Sequence, residues 1–462
     1  MTGVTCAKMI VHITHQLPPE THGGVESHAL ALAQAQKKRG HQVVIIAGSL
    51  IPWESVGGEA EVLDGIDVFR VHRQDLFFDA WDRMYCPQMA DLIVAKLQEL
   101  KPDVVHMHHW IRLSQDLGRR ITDAGMKLVL TLHDLATSCP RGFRMRPDED
   151  SCFEELNTAN CLHCAPRWPW MSDEETSIAL ELFAKSSRSE LAGAHAVVCA
   201  TESVKSIVLD GLNAEALADR FHVLPFGHEP IFGELASQEV KSDDVFRFAF
   251  WGSIAQRKGV ELLVDAFAEL ANNRPDDGVK IELHIFGVCD LPERETALRE
   301  AAKGLNVIFH GRFEHNQIAA ANINAAVFPS RCIETYGLVL DEAFELGIPV
   351  VVPDLGALKE RSGAAGRLFT PNDVGSLACA LGALVDDPAL YESLKASIPK
   401  SLPRFEAHVD AIFDLYSQPT TPPDPAFAPI EIHERTRHQF LRSQSQFRRL
   451  IDRGEADGYG PR

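Results

Sequence analysis

The sequence predicts an α/β protein of two Rossmann-like, doubly wound parallel-sheet domains facing a cleft. Three observations predict it. Short apolar runs alternate with helical segments in the first half of the chain, the same alternation restarts in the second half, and a Pro/Gly-containing acidic stretch separates the two. At 462 residues the chain is too long for one ordinary core, so two domains of roughly 200 residues each are the natural division.

Met9 to Thr14 reads as a strand, followed by a loop ending in Gly23-Gly24, a helix to Arg39 with Gly40 as its stop, and a second strand from Val43 to Ala47. Further strands are expected at Asp103 to His106, Lys127 to Leu132 and Ala196 to Ala200. Residues 1–228 therefore form the first domain, with a Cys-containing insertion at about 137–170. The stretch Leu224 to Asp244 carries Pro225, Gly227, Pro230 and Gly233 and is read as the linker. The second domain, 245–400, has strands at Phe246 to Trp251, Lys280 to Phe286, Asn306 to His310, Ala325 to Phe328 and Pro349 to Val352. A closing helix at 401–418 precedes a Pro- and Thr-rich extended piece and a basic amphipathic tail, 419–462, on which Phe440, Phe447 and Ile451 share one face near Arg442, Arg448 and Arg449. Such a helix suits docking on its own protein, or contact with a membrane surface or a partner protein.

Forty-five Lys and Arg against sixty-five Asp and Glu give a formal charge of −20, which excludes a broad basic surface for nucleic acid. The beginning of the chain has no secretory signal pattern and no later run reaches membrane-spanning length, so a cytoplasmic protein, peripheral to a membrane at most, is expected. Of ten cysteines, six lie singly in apolar or mixed segments and read as core residues. Cys139, Cys152, Cys161 and Cys164 crowd into one polar stretch, and Cys161 and Cys164 have the spacing that lets two thiolates reach one ion. A structural zinc, reduced thiols and a disulfide all remain open readings.

The run Pro329-Ser330-Arg331-Cys332-Ile333-Glu334-Thr335-Tyr336-Gly337-Leu338-Val339-Leu340-Asp341-Glu342 passes from a strand end through a loop into a helix. A helix starting near Gly337 would turn its free N–H groups toward a phosphate, and Glu342, one turn in, could accept hydrogen bonds from ribose hydroxyls. Glu334, still in the loop, could reach a sugar. Two solvated glutamates near a helix start are the plain alternative. This stretch, continued by Gly347-Ile348-Pro349-Val350-Val351, Pro353-Asp354-Leu355-Gly356, Glu360 and Gly366-Arg367-Leu368-Phe369, resembles the donor-site signature of the family-4 retaining glycosyltransferases, which have the GT-B fold.

The resemblance reaches upstream to Phe250-Trp251-Gly252-Ser253 and Arg257-Lys258-Gly259, and into the first half through Gln16-Leu17-Pro18-Pro19, Gly23-Gly24-Val25-Glu26-Ser27-His28, Arg39-Gly40-His41, Asp103 to His109 and Thr131-Leu132-His133-Asp134. It spans most of residues 9 to 417. It implies that Lys258 binds the donor diphosphate, where a compact ammonium offsets the charge growing on the leaving group, and that His133 contacts the donor sugar. Many relatives carry arginine directly after the first glycine of the Gly252-Ser253 step; here Arg257 is expected to supply the second positive charge. Donor contacts are also expected at Tyr336, Gly337 and Leu338, and Gly23 and Gly24 let the loop backbone approach without an intervening side chain. His106 and His108 share a strand face, as cleft lining, metal ligands or packing, without a carboxylate at ligand spacing.

The reading is a metal-independent, retaining transferase that moves a sugar from a UDP- or GDP-type donor to a carbohydrate, lipid-linked or small-molecule acceptor. Catalysis needs no cofactor on this reading. Its rivals are a sugar-nucleotide epimerase of similar fold and a non-catalytic donor-binding subunit; the joint presence of Glu334, Glu342, Lys258 and His133 favours transfer.

Overall fold

A computed structural model describes residues 7–75, 80–233, 244–275 and 278–453, with the backbone alone for 444–453. The chain divides into two compact units. The first comprises Met1–Gly142, Phe153–Leu224 and Glu406–Arg462, and the second comprises Phe143–Cys152 and Pro225–Phe405.

The first unit is built on an eight-stranded sheet. Its strands are β1 (Met9–Thr14), β2 (Gln42–Gly48), β3 (Gly57–Leu63), β4 (Ile66–His72), β5 (Val104–Met107), β6 (Leu128–Thr131), β7 (Ala196–Cys199) and β8 (Phe221–Val223), in the order β3-β4-β2-β1-β5-β6-β7-β8. Every pairing is parallel except β3 with β4. The inner strands are apolar and short because helices cover both faces: every residue of β5, β6 and β7 is buried. The helix Gly24–Lys38 follows β1, and Gly40 at φ +90 ends the turn after it.

The β3–β4 hairpin was not among the expected strands. Its signal is Asp64-Gly65, both at positive φ (48 and 79), the two-residue turn whose twist matches paired strands. An edge strand carrying Glu59 and Glu61 has no apolar run to betray it.

The second unit holds six parallel strands: β9 (Val245–Trp251), β10 (Lys280–Phe286), β11 (Val307–Gly311), β12 (Ala325–Val327), β13 (Val350–Pro353) and β14 (Gly366–Phe369), in the order β11-β10-β9-β12-β13-β14. Its core joins Phe248, Phe250, Phe267, Ile285, Val351 and Leu381, all at most 2% exposed.

Three boundaries differ from those expected. Part of the expected linker already belongs to the second unit: Phe232 enters its core, and Glu345 accepts the amides of Ile231 (3.0 Å) and Phe232 (2.9 Å) and pairs with His228 (2.6 Å), while 234–243 lie outside the described residues. Residues 143–152, placed by sequence in the first domain's insertion, cluster with the second unit, where Ser151 Oγ donates to the Arg331 carbonyl at 3.1 Å. The closing helix, Phe405–Ser417, joins the first unit from Glu406 onward, burying Val409, Ile412, Leu415 and Tyr416, with Arg39 paired to Glu406 and Asp410.

The tail also packs on the first unit. Asp424 N donates to the Ala192 carbonyl at 2.9 Å, Arg220 Nη2 donates to the Pro422 carbonyl at 2.7 Å, and the helix Ile432–Arg453 lies against Asp173–Gly193 with Lys185 paired to Glu434. Arg435 is buried over the Tyr85 ring, 4.2 Å from its centroid. Of the expected apolar face, Phe440 is exposed, and the side chains of Phe447 and Ile451 lie outside the described residues. No single helix among the described residues is long and apolar enough to cross a membrane.

Candidate functional site

In the second unit the loop after β12 brings together the expected donor residues, because two loops are clamped to each other. Arg331 N donates to the Arg257 carbonyl at 2.9 Å, and Gly259, at φ +68, lies so close to the Pro329 carbonyl that an added Cβ would meet it at 2.1 Å. The glycine of the lysine-glycine step is thus dictated by packing. It allows Lys258 to sit over the loop, and Lys258 Nζ donates to Glu334 Oε1 at 2.7 Å. Ser330 Oγ donates to the same oxygen at 2.9 Å. Burial alone would raise the Glu334 pKa; the Lys258 ammonium and these hydrogen bonds outweigh it and hold the carboxylate below its ordinary range.

Gly337, at φ +77 where other residues are strained, starts the helix Leu338–Glu345 beside Leu358. Glu342 stands in its second turn and accepts the Trp251 indole N–H at 2.6 Å. Burial pushes its pKa up despite that bond. Tyr336 is buried, its hydroxyl accepting from Gly227 N at 3.3 Å, while Leu338 is exposed. Arg361 ties the helix start: it donates to the carbonyls of Tyr336 and Gly337, both at 3.0 Å, pairs with the fully buried Asp341, and lies 3.5 Å over the Tyr336 ring.

The first unit gathers histidines at one end of β1, β5 and β6. His108 Nδ1 and His133 Nε2 are 2.9 Å apart, and the His28 ring lies 5.1 Å from that of His133, so the helix that begins at Gly24 and the expected sugar-contacting histidine meet. Burial lowers the His133 pKa to about 3, against the opposing pull of Asp134. His109 Nε2 pairs with Asp134 at 2.9 Å. The ligand atoms of His12, His106 and His108 lie within 4.8 Å of one another. Gly23 and Gly24 both lack positive φ, and an added Cβ at Gly24 meets nothing within 4 Å, so a strained turn is not what requires glycine there.

Two family models match this chain: residues 22–230 fit Glycosyltransferase Family 4, and residues 245–387 fit Glycosyl transferases group 1. The chain belongs to the family-4 glycosyltransferases. A phosphatidyl-myo-inositol mannosyltransferase of Mycobacterium leprae is 25% identical over 84% of this glycosyltransferase and 91% of its own length. A glycogen synthase of Mycobacterium tuberculosis is 24% identical over 82% and 86%. Among solved structures, sucrose-phosphate synthase from Thermosynechococcus elongatus superposes with a TM-score of 0.60 at 20% identity, covering 88% of this chain and 98% of that one. A trehalose-6-phosphate protein of E. coli bound with UDP-2-fluoro glucose gives 0.62 at 12%, covering 90% and 100%. The two sheets are those of the GT-B fold.

In this glycosyltransferase the expected second cation is half-buried: the Arg257 guanidinium lies 5.1 Å from the Phe143 ring centroid, and Ser253 is exposed beyond Gly252. Trp251, Ser330 and Arg361 hold the assigned residues in place yet were given no role from sequence. Tryptophan in a strand reads as core, and the partner of its N–H comes from a helix 91 positions away. Of the four crowded cysteines, Cys139, Cys161 and Cys164 fall in the first unit, where Arg141 Nη1 donates to the Cys164 carbonyl at 3.1 Å, and Cys152 falls in the second.

Proposed function

We propose that this glycosyltransferase is a retaining enzyme using a nucleoside-diphosphate sugar, with Lys258 and Arg257 on the diphosphate, Glu342 on the ribose hydroxyls, and Glu334 and His133 on the transferred sugar. The observation that carries the reading is the Lys258–Glu334 pair on one clamped pair of loops, of which the second runs directly into the helix that carries Glu342. A cation for the leaving diphosphate and two carboxylates for hydroxyls are the groups this chemistry requires. That a solved neighbour of like fold holds UDP-2-fluoro glucose supports the same donor class.

On this reading the C–O bond from the anomeric carbon to the diphosphate breaks while the acceptor oxygen bonds to the same face. The acceptor proton passes to a departing phosphate oxygen. The protein positions the reactants and offsets the charge growing on the diphosphate. Carbohydrate, lipid-linked and small-molecule hydroxyls all fit this role for an acceptor.

Proton NMR of the product formed from an α-linked donor tests it: the expected product keeps the α configuration and forms at the same rate with excess chelator during a short assay. An inverted anomer would overturn retention, and loss of transfer on chelation would overturn metal independence.

A structural zinc on Cys139, Cys152, Cys161 and Cys164 is a separate proposal, resting on their spacing and on the few apolar residues of that stretch. Elemental analysis is expected to find about one zinc per chain in protein purified without added metal. A Cys161→Ser/Cys164→Ser double variant should lose it and melt earlier; fully reduced, active protein without zinc would remove the idea.

A further inference from the structure

Four histidines of the first unit, His12, His106, His108 and His133, belong to one hydrogen-bonded chain. His133 Nε2 meets His108 Nδ1 at 2.9 Å, His108 Nε2 meets His12 Nδ1 at 3.0 Å, and His12 Nε2 meets Gln36 Oε1 at 2.8 Å. Gln36 Nε2 donates to the Tyr416 hydroxyl at 3.3 Å, which meets His106 Nδ1 at 2.7 Å, and His106 Nε2 meets Thr131 Oγ1 at 2.6 Å. His12, His106, His108, Gln36 and Thr131 are each at most 1% exposed.

A neutral imidazole has one N–H and one lone pair, so in such a chain the tautomer of each ring dictates the next. Gln36 presents its oxygen to His12, which makes His12 Nε2 the protonated nitrogen and Nδ1 the acceptor. His108 must then donate from Nε2 and accept at Nδ1, and His133 must donate from Nε2. On the other side Gln36 Nε2 donates to the Tyr416 hydroxyl, which shares a hydrogen bond with His106 Nδ1, as Thr131 Oγ1 does with His106 Nε2.

The rings are neutral for a physical reason. Among the described residues no carboxylate is hydrogen-bonded to His12, His106 or His108, and an added proton there would be a bare charge in the core. Burial lowers the His12 pKa to about 4 and those of His106 and His108 well below the ordinary value. The nearness of the His12, His106 and His108 nitrogens does not make a metal site of this cluster, because Gln36, Tyr416, Thr131 and His133 already engage them.

We propose that Gln36, acting through His12 and His108, is a positioning residue that fixes His133 as its Nε2–H tautomer and leaves Nδ1 as a hydrogen-bond acceptor. Two buried rings thereby carry the orientation of one amide on the helix Gly24–Lys38 to the ring at the end of β6. The consequence for transfer, that His133 Nδ1 accepts from a sugar hydroxyl and does not donate to it, rests on the donor-sugar role proposed above for His133.

Long-range proton–nitrogen NMR of the full chain labelled with nitrogen-15 histidine tests the relay, the His133 signals being assigned by their loss in His133→Gln. Wild-type protein at neutral pH is expected to show His133 protonated at Nε2 only. An Nδ1–H tautomer or an imidazolium would overturn the proposal without any variant. Gln36→Leu, and Tyr416→Phe as the milder change, are expected to convert His133 to a mixture of tautomers; an unmoved His133 spectrum in either folded variant would overturn it. In the sugar-transfer assay Gln36→Leu is expected to lower kcat by about tenfold or more, as loss of an orienting partner does, with binding of the nucleoside diphosphate unchanged. If His133 has no sugar contact, the tautomers still shift while the rate does not, so the two readings fail separately.

Discussion

Replacing Lys258 by alanine is expected to lower kcat by roughly a hundredfold or more, the scale on which removing a preorganised charge from a developing oxyanion acts. Two losses coincide. The leaving diphosphate loses its ammonium, and Glu334 loses the cation bonded to it at 2.7 Å. Glu334 then rises from its depressed pKa, since burial is opposed by the Ser330 hydrogen bond and the Arg257 charge without the ammonium. The variant's pH profile should accordingly fail earlier on acidification than that of the wild type. In the wild type the folded-state pKa lies below the unfolded one, so the stability from this pair is present above the unfolded pKa and is lost as pH falls through the folded value. Steady-state kinetics across the acidic range check both effects, and a wild-type rate in Lys258→Ala would remove the assignment of the diphosphate site.

Glu342→Ala is expected to weaken nucleotide-sugar binding by about 1.5–3 kcal/mol, the worth of a hydrogen bond to a charged group, which is roughly tenfold to a hundredfold in Kd. Its pH dependence runs opposite to that of Glu334. Burial raises its pKa, so the folded state holds a proton more readily than the unfolded one. Its contribution to stability is full below the unfolded pKa and is lost as pH rises through the folded value. The ionised carboxylate is the stronger acceptor for ribose hydroxyls, so donor affinity should fall as pH drops through that raised pKa, beginning above the ordinary carboxylate range. Glu342→Gln should flatten this dependence. Calorimetric titration with a nucleoside diphosphate at several pH values decides it; affinity independent of Glu342 would place the ribose elsewhere.

Much of the fold was legible because the buried parallel strands announce themselves. The runs Met9–Thr14 and Lys280–Phe286 are strands over their full expected lengths, since Ile10, Val11 and Ile13 in one and Ile281, Leu283 and Ile285 in the other are buried at the sheet centres. The edges were not. The strand Gly57–Leu63 faces water on its outer side, and its only mark is the Asp64-Gly65 turn. In the site, Lys258, Glu334 and Glu342 were legible from motif order, but their partners were not. The Trp251–Glu342 bond and the Arg361–Asp341 pair join residues whose nearness follows from strand order, which local pattern does not specify. The same holds for the closing helix: its apolar face is visible in sequence, but nothing there says that Tyr416 reaches His106 across 310 positions.

The sequence alone determined two α/β halves, the positions of their inner strands, and a set of charged residues suited to a nucleotide sugar, because periodicity and motif order are local properties of the chain. Tertiary structure decided that residues 143–152 belong with the second unit, that the C-terminal helices return to the first, and that His133 stands at the end of a buried relay starting at Gln36. Those outcomes depend on which surfaces lose water to one another. A hydrogen bond in the core gains its strength from the low dielectric made by residues far apart in the chain, so no short window of sequence can contain it.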